Sequence, residues 1–184
     1  GVLSNTVDNN IYCFTKDATT ITTANSAVTT AKDTTLKLNN HDLTITANSG
    51  DGIATTGGKL TVQDAGNFTV TGAKAINANN SKVEITAVNA TLNGDVSTNN
   101  AVTLKATKAA KVNGAVSASG ANSSVSINGE ATTITGAVSA NGANSSVSIN
   151  GTASAAISGA VTADGANAAV TIDSAYTTIG SDVT

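Results

Sequence analysis

The chain has 184 residues, of which 40% are hydrophobic, 2% aromatic and 11% charged, with 17 Gly, no Pro, Met or Trp, and a formal net charge of −3. That length supports one domain with a continuous core, which must be built from Val, Ile, Leu and Ala. All nine basic residues are Lys, and with one His and one Cys the chain lacks most of the side chains that clamp ligands or run acid–base chemistry.

The charge is unevenly spread. Residues 1–111 hold every Lys and sum to +1, whereas residues 112–184 hold Glu130, Asp164, Asp173 and Asp182 and sum to −4. Neither part offers the dense basic patch that a phosphate backbone requires, and Tyr12, Phe14, Phe68 and Tyr176 lie too far apart to form a base-stacking platform. Nucleic acid is therefore not an expected partner. No apolar run approaches the roughly 18 residues of a membrane span, so this segment is not expected to insert in a bilayer. With no Met and no charged-then-apolar leader, the sequence reads as a processed chain or as a segment of a longer one.

Along the chain, residues 1–35 form a divergent N-terminal coil or cap. Ile11 to Phe14 reads as a strand, and Thr20-Ile21-Thr22 and Val28 continue the pattern at lower quality. Residues 36–184 form a regular solenoid. Its clearest part is written three times, as VSASGANSSVSINGEATTITGA over 116–137, VSANGANSSVSINGTASAAISGA over 138–160 and VTADGANAAVTIDSAYTTIG over 161–180. The apolar–polar–apolar strand inside it runs backwards from Val170-Thr171-Ile172 through Val147, Val125, Val102, Val83 and Leu60 to Leu43-Thr44-Ile45, giving a mean period of about 21 residues. A second strand set holds Phe68-Thr69-Val70, Leu92, Val112, Ile134, Ile157 and Ile179; a third holds Ile53, Ile76, Val96, Val116, Val138 and Val161. No segment keeps a helical period.

Three short strands per repeat predict an all-β parallel β-helix (β-solenoid) of roughly eight coils, each strand bonded to its equivalents above and below. Five Asn-Gly pairs, at Asn93, Asn113, Asn128, Asn141 and Asn150, are expected to supply positive φ in the turns. The repeat runs to the last residue without a change of pattern, which suggests truncation or an edge meant for another chain.

Sites are sparse. His41, in Asn39-Asn40-His41-Asp42, has only Asp42 and Asp33 near it in sequence, so it reads as a turn histidine open to water rather than a metal ligand. Cys13, between aromatics, reads as a small buried hydrophobe of the cap without an intrachain partner. The Asp residues fall singly, without the Gly-Gly-x-Gly-x-Asp nonapeptide of calcium-binding rolls. Asp51, Asp64 and Asp95 lie at different offsets from their strands, unlike the clustered carboxylates of carbohydrate-cleaving β-helices. The outward pairs of the first strand are polar but not repeated Thr-x-Thr, so an ice-binding face is not expected. The sequon Asn67-Phe68-Thr69 occurs in a chain so rich in Asn and Thr that chance accounts for it. No catalytic residue, cofactor or metal site is assigned.

The stretch from Gly50-Asp51-Gly52-Ile53 to Leu60-Thr61-Val62, together with the later Val-Ser-Ile-Asn-Gly repeats, resembles the passenger domains of bacterial autotransporters and filamentous-haemagglutinin-like adhesins over residues 36–184. The resemblance implies a right-handed β-helix, secreted or displayed on the surface of a Gram-negative bacterium, serving as stalk and adhesive face. Its partners would be a host glycan or a matrix or cell-surface protein. The membrane barrel of those families is not in this sequence, and none of their catalytic residues carries over. Two other readings share the fold: a fibre subunit joining copies of itself end to end through its terminal coils, and, less favoured, a polysaccharide-active enzyme.

Overall fold

A computed structural model describes residues 3–5, 9–22 and 25–184, and the side chains of 9–19 and 25–184. It is an all-β parallel solenoid of about seven turns with about 23 residues per turn. In chain order the strands are β1 (Leu3–Asn5), β2 (Asn10–Cys13), β3 (Ala18–Thr22), β4 (Val28–Thr30), β5 (Thr34–Lys37), β6 (Leu43–Ala47), β7 (Ile53–Thr55), β8 (Lys59–Ala78), β9 (Lys82–Thr98), β10 (Ala101–Ala106), β11 (Ala109–Asn113), β12 (Val116–Ala118), β13 (Ser124–Ile134), β14 (Val138–Ala140), β15 (Ser146–Ile157), β16 (Val161–Ala163) and β17 (Ala169–Ile179). β8 and β9 each run unbroken round three faces, while β13, β15 and β17 each turn one corner. Every strand pair is parallel and one circuit apart in sequence.

Period-2 alternation decides what faces in. On the first face, Leu36, Val62, Ile85, Leu104, Ile127, Ile149 and Ile172 stack in one column, with Leu60, Val83, Val102, Val125, Val147 and Val170 beside it. The second face stacks Ile45, Val70, Leu92, Val112, Ile134, Ile157 and Ile179; the third stacks Val28, Ile53, Ile76, Val96, Val116, Val138 and Val161. From Val28 to Ile157 these side chains are buried, and in the last coil Val170, Ile172 and Ile179 are half-buried. β-Branched side chains stacked one coil apart, at roughly 4.8 Å, make a core of near-uniform columns. Phe68 is the one buried aromatic among the described residues, packed in register between Leu43 and Ala90.

The register corrects the sequence reading in three places. Leu43-Thr44-Ile45 lies against Phe68-Thr69-Val70 on the second face, not in the column of Leu60-Thr61-Val62, which pairs instead with Thr34-Thr35-Leu36. The false step of 17 residues that this removes had shortened the mean period, so about seven turns of about 23 replace eight coils of about 21. Cys13 is exposed, not buried: Tyr12 occupies the inward register opposite Leu36, so parity turns Cys13 outward opposite Lys37. β1, β2 and β3 pair in register with β4, β5 and β6, so the first strands follow the same three-faced path.

The third correction concerns the turns. Positive φ belongs to Asn9, Asn39, Asn40, Asp64, Asn80, Asn122, Asn144 and Asn167 and, among glycines, to Gly58 and Gly94, so only Gly94 of the five Asn-Gly pairs behaves as expected. Asn128-Gly129 and Asn150-Gly151 sit inside paired strands. The repeated Gly-Ala-Asn turns, followed by Ser, Ser and Ala in turn, close by hydrogen bonds from Ser123, Ser145 and Ala168 N–H to the carbonyls of Gly120, Gly142 and Gly165, with Asn at the positive-φ third position. Gly142 serves a different need there, since a Cβ on it would run into the Gly120 carbonyl of the stacked turn.

Candidate functional site

The outer columns are as regular as the core but polar. The first face presents Thr35, Thr61, Glu84, Thr103, Ser126, Ser148 and Thr171, and the third presents Asn77, Ser97, Ser117, Ser139 and Thr162. The corrected register also places Thr44 and Thr46 beside Thr69 and Thr71 on the second face, with Thr91 and Asn93 next. Lys111 interrupts that array in the following coil.

Five of the scattered carboxylates tie one coil to the next. Asp17 accepts the Asp42 N–H at 2.8 Å, and Asp42 accepts the Asn67 N–H at 2.6 Å and its side-chain amide at 3.0 and 3.2 Å. Asn67 accepts the Asn89 amide at 3.1 Å, completing a polar ladder along one corner. The Asn67 backbone bond, then its side-chain bond, holds the Asp42 carboxyl below its ordinary value of 3.8; burial opposes this and the nearby His41 assists it. Asp33 accepts the Lys59 N–H, Asp51 the Lys74 N–H and the Asn77 amide, and Asp95 the Ala115 N–H. The sequon nitrogen of Asn67 is thus committed to Asp42.

His41 is half-exposed in the corner between β5 and β6, its Nδ1 3.5 Å from an Asp17 carboxylate oxygen. Asp33 accepts the Lys59 N–H and Asp42 the Asn67 N–H, and among the described residues no three His, Cys, Asp or Glu side chains gather to hold a metal ion. Asp51, Asp64 and Asp95 sit on different turns: the first and third bridge coils, while among the described residues no hydrogen bond or ion pair engages the Asp64 carboxylate.

Shallow depressions mark the surface of the described residues. A 140 Å³ hollow lies beside the Lys59–Glu84 ion pair, which closes at 2.7 Å. A polar groove of 310 Å³ follows the third face past Asn77, Ser97 and Ser117. A groove of 330 Å³ lies at the corner of the first and second faces, with half-buried Val88 in its lining, Asp64 and Lys105 at its edges, and Ala65, Ala87 and Ala106 buried beneath it. Sequence reasoning missed the last one, although the path from Val62 to Phe68 is one residue longer than that from Ile85 to Ala90. Comparison of the chain with protein-family models, curated proteins and solved structures finds no match.

Proposed function

We propose that the chain is a non-catalytic extracellular β-solenoid of a bacterial surface protein, acting as stalk and adhesive face toward a glycan or a matrix or cell-surface protein. The observation that carries this reading is the continuity of the outer columns: hydroxyl and amide side chains recur coil after coil on a backbone locked by inter-coil hydrogen bonds. Such a surface offers many small, similar contacts. Each is weak alone, and their sum grows steeply with the number engaged at once. The low charge of the faces and their Ser, Thr and Asn content suit hydroxyl-rich or amide-rich partners.

The test is attachment of chain-coated beads to glycan-, matrix- and cell-coated surfaces over a range of coating densities. Attachment should rise cooperatively with density, while the free chain binds the same surfaces weakly. Tight one-to-one binding by the free chain, turnover of a polysaccharide, or no attachment at any density would each overturn the reading.

A further inference from the structure

We propose that Asn141 is a site of spontaneous deamidation, the one Asn-Gly pair of the five that the fold leaves free to react, and that its isoaspartate product opens the corner it occupies. The reaction needs an asparagine side chain that can swing and a following amide nitrogen that no side chain screens and no hydrogen bond holds. Glycine removes the screen at every pair, so the fold decides the rest. Asn128-Gly129 and Asn150-Gly151 lie opposite each other in the ladder of β13 and β15, so reaction there waits for strands to open. The Asn128 amide is also spent on the Ser126 hydroxyl at 3.0 Å. Asn93 donates to the Thr71 hydroxyl at 3.2 Å and accepts the Asn113 amide at 2.7 Å, which ties both side chains into one ladder.

Asn141 differs at each point. It follows β14 and precedes the Gly142-Ala143-Asn144 turn, outside any strand; it is exposed, and among the described residues its side chain makes no hydrogen bond. Its own N–H takes the Ala118 carbonyl at 3.0 Å, which leaves the Gly142 N–H without an acceptor among the described residues. The next coil shows the same crowding: the Asp164 N–H holds the Ala140 carbonyl at 3.1 Å, and the Gly165 N–H reaches it only at 3.5 Å, beyond an ordinary N–H···O distance. Gly142 is covered by the stacked turns but flanked by exposed Asn141 and Ala143, so water and base reach the peptide between them.

The Gly142 nitrogen gives its proton to solvent base and attacks Cγ of Asn141; the Cγ–Nδ2 bond breaks, ammonia leaves and a five-membered succinimide closes. Water then adds to one of the two ring carbonyls. Breaking the N–Cγ bond gives aspartate, and breaking the bond to the main-chain carbonyl carbon gives isoaspartate, whose main chain runs through Cβ and Cγ. Pairing of Ala140 with Ala118 and Ala163 puts Asn141 level with Ser119 and Asp164, so this corner already accepts a carboxylate one coil on. Isoaspartate instead lengthens the main chain where Gly142 lies against the Gly120 carbonyl with no room for a Cβ. The turn bond from Ser145 N–H to the Gly142 carbonyl and the bond from Asp164 N–H to the Ala140 carbonyl are the ones it strains.

Peptide mapping by mass spectrometry of the whole chain, aged in warm, mildly alkaline buffer with a parallel sample in urea, tests this. In the folded chain the Asn141 peptide should convert to aspartate and isoaspartate about tenfold or more faster than the other four pairs, at a rate proportional to hydroxide. In urea the five rates should converge, because only the fold separates them. Asn141→Ser, an exposed change to the residue that the preceding coil carries, should remove the fast phase and leave the other four pairs unaltered. Amide exchange on the separated products should show lost protection at Ser145 and Asp164 in the isoaspartate form and parental protection in the aspartate form. The proposal is overturned if another pair reacts as fast as Asn141 in the folded chain, if Asn141 keeps its lead in urea, if a fast phase survives Asn141→Ser, or if the isoaspartate form is as protected as the parent.

Discussion

Phe68→Ala isolates how one residue sustains a stacked core. Phe68 is fully buried on the second face, with Leu43 in register on one side and Ala90 on the other. From Ala90 onward that inward position is held by Ala110, Thr132 and Ala155, so on that side the aromatic fills space that the small side chains of its column leave. Truncation removes its buried surface and leaves a hole lined by coils whose backbones are fixed by parallel ladders, which prevents collapse. The expected cost is about 3–5 kcal/mol. In a solenoid each repeat touches only its neighbours, so the loss should stay local. Denaturant titration gives the total, and amide exchange maps it: protection should fall in β6, β8 and β9 and persist in β15 and β17. A cost under about 1 kcal/mol, or a uniform loss of protection along the rod, would refute the argument.

Two further outcomes follow from the corners. Gly142→Ala should cost about 1–3 kcal/mol, read as a drop in denaturation midpoint, because its new methyl meets the Gly120 carbonyl rather than a side chain that can swing away; an unchanged midpoint would show that the stacked turns are looser than their geometry implies. Because the Asp42 carboxyl is held below 3.8 in the folded chain, the stability it contributes is fully present above that pH and is lost as pH falls from there through the lowered folded value. A carboxyl titration by NMR should find Asp42 below 3.8, with Asn67 amide protection falling as it protonates and Asp42→Asn removing the step; titration at or above 3.8 would contradict the ladder.

The three near-identical repeats were readable because their strands and corners have nearly constant length, so Val125, Val147 and Val170 fall into one column by spacing alone. Leu43-Thr44-Ile45 and Leu60-Thr61-Val62 carry the same alternation, and alternation says which side chain points inward, not which face the strand joins. Only the partner strand settles that, through contacts 25 residues away at Phe68. The Asn-Gly rule failed for a related reason: a dipeptide that favours a turn in isolation is carried into the ladder when its neighbours on both coils are strands, as at Asn128 and Asn150. Cys13 turned on parity by one residue. Asp64 was legible as a length difference but not as a groove, because its exposure depends on Thr86 and Asn40, which belong to other coils.

Parallel stacking also fixes how the molecule would bear load. The hydrogen bonds that join successive coils point along the rod, so tension applied between its ends pulls straight on them instead of shearing them together. A coil peeled from the stack shortens the rod by roughly 4.8 Å. Its 23 or so residues then pay out as extended chain, about 75–80 Å of new length for each coil given up. Under steady pull the solenoid would lengthen in discrete yields and keep its remaining coils intact, so a tether made this way gives ground before it breaks.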